Sequence, residues 1–403
     1  MGNDATSGKR SVSVFRRAWR IVRWPARALG VLLLLFVVWL LIPLRGSVDP
    51  IEPNERTAWW TLRDGHRIAY QKVGASSAAA QQRPAIVFLH GGPGGYVHST
   101  AVEVIDRVGR EIGVEAFLYD QIGSGLSDRL ERPKDYSFER HVADLAEIVG
   151  EEIGRPVLLV GQSYGGVLAS WFTAHHADLV AATVLASPGG LNPPLFDDEG
   201  RYLPEQLYPV PAHYEFRDAI DVREEMSPWS LPPRAIASMA LAMVNVKLMP
   251  DREADGQLNR WATRFTKGLA CDPANVPPEE GGGGFYAHIW SNWFGGLEDP
   301  RERMRRTEVP VLVVQGACDT VSYAAAYEYA ALYPRGRYEF IADAGHDIWW
   351  DRPGRFVEVL AEFFSETVEG VGAGAAEEGG DAPGETGEPL ERGGAALVRA
   401  SGG

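Results

Sequence analysis

The chain carries a succession of short, continuous apolar runs: AIVFLH (85–90), AFLYD (116–120), PVLLVG (156–161), ATVLAS (182–187) and PVLVVQG (310–316). Strands that are apolar toward both faces need a sheet covered on both sides. Segments 67–73 and RYEFIAD (337–343) read as two further strands. Helical patterns lie between them. Phe138, Val142, Leu145 and Val149 share one helix face, and Ser137 is placed to cap its start. Further helices are expected after Ser163, over about 322–333 and over 354–367. This alternation predicts an α/β architecture with a doubly wound, mostly parallel sheet.

One stretch breaks the rhythm. Residues 190–306, rich in Pro, Trp and Tyr, read as a mainly helical cap inserted between the strand at 182–187 and the strand at 310–316. The core is thereby split into 57–189 and 307–367, and the Gly/Ala/Glu-rich residues 368–403 read as a disordered acidic tail. At the other end, residues 1–27 are basic, and residues 28–44 (ALGVLLLLFVVWLLIPL) carry no charge. That run approaches the length needed to cross a hydrocarbon layer about 30 Å thick. It predicts a single-pass cell-membrane anchor, with the N-terminus cytoplasmic and the bulk of the chain outside. The alternative is a signal segment cleaved on secretion. Residues 45–56 then form a polar linker that lifts the folded part off the membrane. The formal net charge of −15 makes nucleic acid a poor partner. Cys271 and Cys318 show no spacing pattern and read as two inert buried thiols, although an external location permits a disulfide. No metal-ligand spacing is present, and oligomeric state is not legible.

GQSYGG (161–166) directly follows an apolar strand and precedes an apolar helix. Gly161 and Gly165 let strand and helix approach closely, and Ser163 is pushed to the apex with its hydroxyl exposed, the geometry of a nucleophile elbow. Serine needs a base, and the base needs an orienting acid. His346 in AGHD follows the last expected strand, and Asp319 in GACD follows the strand before it, so both belong at the carboxyl edge where Ser163 lies; Asp343 and Asp347, sequence neighbours of His346 and less suited to reach its far nitrogen, are the alternative acids. HGGPGG (90–95) follows another strand and offers backbone N–H groups to an oxyanion. The expected donors are the N–H groups of Gly92 and Tyr164, with His90, Gly91 and Gln162 in support. DQIGSGLSD (120–128) reads as a scaffold loop, with Asp120 and Gln121 supporting the site. If His346 is the base, activity should fall on acidification around its unperturbed value of about 6.5.

Taken in order, HGGPG, DQ-x-GSG-x-S, G-x-SYGG, G-x-x-D and GH resemble the proline iminopeptidase branch of the α/β-hydrolase fold over roughly residues 57–367. The resemblance implies Ser163, Asp319 and His346 as a triad, Gly92 and Tyr164 as the oxyanion hole, and no metal or organic cofactor. It also implies release of an N-terminal residue from small peptides or amides. The sequence departs from the family at Ile122 and Leu126, where arginines are usual. In HIWSNWF (288–294), Trp290 stands where the family holds a glutamate for the substrate's α-ammonium. Trp290 and Trp293 are therefore candidates for an apolar substrate surface, and Glu205, Glu215, Glu224 and Glu225 are cap acids that could serve in the glutamate's place. The expected activity is that of a serine hydrolase, most simply an aminopeptidase. A carboxylic ester hydrolase on the same residues is the alternative, and a non-catalytic binding protein of this fold is a third.

Overall fold

The structure is a computed structural model that describes residues 7–44, 48–291 and 297–377. Eight strands form one sheet: β1 (Thr57–Thr61), β2 (Arg67–Gly74), β3 (Ala85–Leu89), β4 (Glu115–Tyr119), β5 (Val157–Gln162), β6 (Val180–Ala186), β7 (Val311–Cys318) and β8 (Gly336–Gly345). Their order is β1-β2-β4-β3-β5-β6-β7-β8. β2 pairs antiparallel with both β1 and β4, and every later neighbour is parallel.

Successive strand residues feed two different cores. Val87, Leu89, Leu159 and Val313 join one, packed with Phe138, Leu145, Phe172 and Tyr329. Ile86, Phe88, Leu158, Val160, Leu312 and Val314 join the other, packed with Ile105, Val108, Phe356 and Leu360. Helices Phe138–Glu147, Tyr164–His175 and Tyr323–Leu332 thus cover the first face. Helices Ser99–Ile112 and Pro353–Glu377 cover the second. Burial on both sides explains why the strands read as continuous apolar runs. Ser137 caps its helix as expected, its side chain accepting the Arg140 N–H at 3.2 Å.

The chain leaves β3 for β4 on one side and returns to β5 on the other. The carboxyl ends of β3 and β5 therefore form the crevice where ligands collect in open α/β sheets. Over this edge lies the insertion between β6 and β7. Its helices are Leu203–Leu207, Arg223–Met226, Pro233–Ala242, Asp251–Phe265, Phe285–Trp290 and Arg301–Met304.

Several expectations need correction. β1 and helix Ser99–Ile112 had no counterpart in the sequence reading. The apolar N-terminal segment belongs to a longer helix, Ser7–Leu41, that takes in much of the basic stretch. Its part Arg23–Leu41 has a mean hydropathy of 2.1, is unburied, and is long and apolar enough to cross a membrane. Helix Pro353–Glu377 runs past residue 368, where a disordered tail was expected to begin. Residues 378–403 lie outside the described residues. The end of the anchor segment and the linker both touch the cap. Leu44 N–H donates to Glu253 Oε1 at 2.9 Å, and Ile51 N–H to the Gly281 carbonyl at 3.3 Å. Finally, Cys271 and Cys318 are not separate thiols but a disulfide, closing a sequence separation of 47.

Candidate active site

Ser163 sits at the turn from β5 into helix Tyr164–His175. A β-carbon on Gly161 would collide with the Gly165 carbonyl, and one on Gly165 with the Leu89 carbonyl of β3. Only glycines allow so tight a turn. Ser163 itself takes φ 53° and ψ −116°, a strained backbone for an L-residue, costing about 1–3 kcal/mol. Its N–H donates to the Ala186 carbonyl at 3.0 Å, and its carbonyl accepts from Gly166 at 3.0 Å and Gly189 at 3.2 Å. These bonds hold the strained residue from both flanks. The residue is half-buried, so the apex stays accessible.

β7 and β8 pair along their length and deliver the other two groups. His346 Nδ1 lies 2.7 Å from Asp319 Oδ1. The Asp319 side chain is 0% exposed, and the same oxygen accepts the Val321 N–H at 3.0 Å. A carboxylate can only accept, so Nδ1 carries the proton and Nε2 is left with its lone pair. Burial disfavours the charged ring. The Asp319 carboxylate, its hydrogen bond and nearby Asp347 outweigh that penalty and hold His346 above its ordinary value. The expected midpoint near 6.5 is corrected upward accordingly.

The HGGPGG loop lies against the elbow. A β-carbon on Gly91 would fall 2.9 Å from the Ser163 β-carbon and would collide with the Gln162 side-chain oxygen. His90 is fully engaged: Nδ1 donates to the Gly91 carbonyl at 2.9 Å, and Nε2 accepts the Gln121 N–H at 2.9 Å. The Gln121 amide returns a bond to the His90 carbonyl at 2.8 Å. Burial pushes His90 down to about 4, against its bond to Gly91. It is a neutral brace between two loops. Asp120 has a similar role, its two oxygens accepting from Val97 N–H and Leu126 N–H, each at 2.8 Å. Burial lifts it to about 6, against those two bonds and the Arg129 charge.

The cap is knitted into these loops. Gly284 N–H donates to the Gly94 carbonyl at 2.8 Å, Gly125 N–H to the Gly282 carbonyl at 2.6 Å, and His288 Nδ1 to the Pro93 carbonyl at 2.9 Å. The GGGG run at 281–284 is the sequence signal for this close contact. Asp351 was also missed. Its Oδ2 accepts from Cys271 N–H at 2.7 Å and Gly345 N–H at 2.9 Å, and its Oδ1 from Asp272 N–H at 3.2 Å and Asn275 Nδ2 at 2.8 Å. It thus ties the residue before His346 to the cap segment 271–275. The disulfide does the same beside Asp319.

The expected substrate residues of the cap are more scattered. Trp290 is half-buried and donates from its indole to the Ala242 carbonyl at 2.9 Å, inside the cap. Trp293 lies outside the described residues. Glu205 is exposed, and so is Glu215, on a strap between Tyr214 and Phe216, both packed on Phe340 of β8. Glu224 is exposed, and Glu225 pairs with Lys267 at 2.6 Å. None of these four bonds to or pairs with the HGGPGG loop, the elbow or His346 among the described residues. Nor is there a group of three His, Cys, Asp or Glu side chains fit to hold a metal ion among those residues.

A model of the family described as alpha/beta hydrolase fold matches residues 84–353. The chain is 25% identical to the proline iminopeptidase of Saccharolobus solfataricus over 287 residues, covering 70% of this chain and 84% of that protein. A proline iminopeptidase of Flavobacterium johnsoniae is 24% identical, covering 70% and 89%. Among solved structures, an esterase from Exiguobacterium antarcticum superposes with a TM-score of 0.53 at 18% identity, covering 76% of this chain and 98% of that one, a likeness of fold.

Proposed function

We propose that this chain, which belongs to the alpha/beta hydrolase fold family, cleaves small carboxylic esters through an acyl-enzyme on Ser163. The observation that carries the reading is the 2.7 Å contact between His346 Nδ1 and buried Asp319. It leaves Nε2 as a base at the sheet edge where the elbow presents Ser163. Ser163 Oγ attacks the carbonyl as His346 takes its proton. The N–H groups of Gly92 and Tyr164 hold the oxyanion. His346 then gives the proton to the leaving alkoxide, and a water activated in the same way releases the acid.

The cap supports the choice of substrate. An aminopeptidase must neutralise a desolvated α-ammonium, and leaving it unpaired is costly. Glu225 is already paired with Lys267, Glu205, Glu215 and Glu224 face solvent, and by the resemblance Trp290 stands where the family holds a glutamate. A second reading, release of an N-terminal residue, is favoured by the relatives named proline iminopeptidase. Turnover of acyl-nitrophenyl esters and prolyl-arylamides side by side separates the two. Hydrolysis of the arylamides alone refutes the ester reading. A fluorophosphonate probe should label wild type and spare Ser163→Ala, whose turnover should drop by about three to six orders of magnitude. Equal labelling of both refutes the nucleophile.

We place the enzyme on a membrane, anchored through residues 28–44 with the hydrolase outside the cytoplasm. The unburied apolar helix and the basic residues before it support this. The Cys271–Cys318 disulfide supports an oxidising compartment.

A further inference from the structure

Residues 226–246 of the cap, MSPWSLPPRAIASMALAMVNV, contain one charged residue, Arg234. That side chain is buried. Around it the segment exposes Met226, Trp229, Leu241, Met243, Val244 and Val246, with Trp229 82% and Val244 64% exposed. Soluble surfaces rarely concentrate apolar side chains in this way without a partner.

The same segment grips the end of the apolar N-terminal helix. Arg234 forks onto Glu253, with Nε to Oε1 at 2.7 Å and Nη2 to Oε2 at 3.1 Å. Its remaining nitrogen donates to the Leu40 carbonyl, at the helix end where carbonyls lack partners of their own. Glu253 Oε1 also accepts the Leu44 N–H at 2.9 Å. Both side chains of this clasp are largely withdrawn from solvent. The cap is thereby fixed at the point where the apolar helix ends. From Arg234 to the helix end at Ala242 is eight residues, about 12 Å at about 1.5 Å per residue, and the chain turns directly after it. Leu241–Val246 are therefore held within one short helix length of that end.

We propose that residues 226–246 form a membrane-contact surface, lying in the headgroup region beside the emerging anchor. The proposal rests on the membrane-spanning reading of residues 28–44 given above. A lipid surface fits the chemistry. The segment presents methyl groups and an indole with no exposed charge, tryptophan favours the membrane–water boundary, and apolar helix faces settle about 5–10 Å into it. The clasp explains why an Arg–Glu pair is buried here: it fixes the cap's angle to the anchor.

The test uses the full chain in phosphatidylcholine–phosphatidylglycerol vesicles. Both native cysteines are paired, so a single introduced cysteine takes a fluorophore alone. Probes are placed by Leu33→Cys in the anchor, Val244→Cys in the cap and Glu362→Cys on the exposed side of the last helix. Doxyl-labelled lipid should remove about half of the emission at 33 and at 244, as expected for groups within about 10 Å of the interface or deeper. The probe at 362 should stay bright. Quenching at 33 with none at 244 overturns the contact surface and leaves the anchor standing. A 244 probe shielded from both lipid and aqueous quenchers means a protein partner and overturns it equally. Absence of quenching at 33 removes the anchor, and the proposal with it.

Discussion

Replacing Asp351 tests how the base loop is held. The carboxylate takes four donors, two on each oxygen. In Asp351→Asn one oxygen becomes an NH₂ and must turn toward one pair. The less costly choice is the pair Asp272 N–H and Asn275 Nδ2, because both residues are exposed and the Asn275 amide can rotate to offer its oxygen. What is lost is then one bond and the charge behind the others, about 1–3 kcal/mol. Asp351→Ala strips all four. Gly345 N–H is buried, and Cys271 N–H is also orphaned, each costing about 1–3 kcal/mol. The sum is about 2–6 kcal/mol. At about 2–4 °C of melting temperature per kcal/mol for chains of about 150–250 residues, the two variants should melt at clearly different temperatures. Gly345 directly precedes His346, so the alanine variant should also lose ester turnover while the asparagine variant keeps most of it. Thermal melts and turnover of the detergent-solubilised full chain measure both. Equal melting shifts for Asn and Ala, or an alanine variant with wild-type turnover, would refute the reasoning.

The pH–rate profile should bend on its acid side above about 6.5. The working imidazole must be neutral, and burial is outweighed by Asp319, its hydrogen bond and Asp347, so protonation sets in at higher pH than for a free histidine. Asp319→Asn should move that bend downward and slow turnover by about four orders of magnitude; an unmoved bend would assign it to another group. Gly91→Ala forces a methyl group against Gln162 and Ser163, and should cut kcat by about 100–1000-fold, as loss of an oxyanion donor does. Unchanged kcat would place the oxyanion elsewhere. Cys318→Ser removes a tether across 47 residues, worth about 4 kcal/mol by loop-closure entropy. A chemical-denaturation midpoint equal to wild type would contradict that.

The parts of the fold that the sequence exposed are those under the tightest steric or solvation demand. Strands buried on both faces can hold little but Val, Leu, Ile, Phe and Ala, so β3 to β7 are legible as runs. The elbow is legible because no β-carbon fits at Gly161 or Gly165. Helix Ser99–Ile112 was hidden by Gly109, which sits inside it because a β-carbon there would lie 2.9 Å from Gly74 Cα. β1 buries fully only Trp60 of its five residues, so no apolar run marks it. The extension of the last helix lies under glycines, EGVGAG, that argue against a helix by propensity alone. Asp351 and the disulfide were invisible for a different reason. Their partners come from segments about 50 to 80 positions away in the chain, and no local pattern encodes such a meeting.

The bond from Cys271 to Cys318 joins the inserted region to the position immediately before Asp319. On the proposed mechanism, substrate preference and the placement of Asp319 are therefore not separable modules. Grafting a foreign insertion to change specificity would remove one half of that link, together with the backbone donors that Asp351 collects. A workable chimera has to exchange the 269–275 segment and the 317–319 corner as one block.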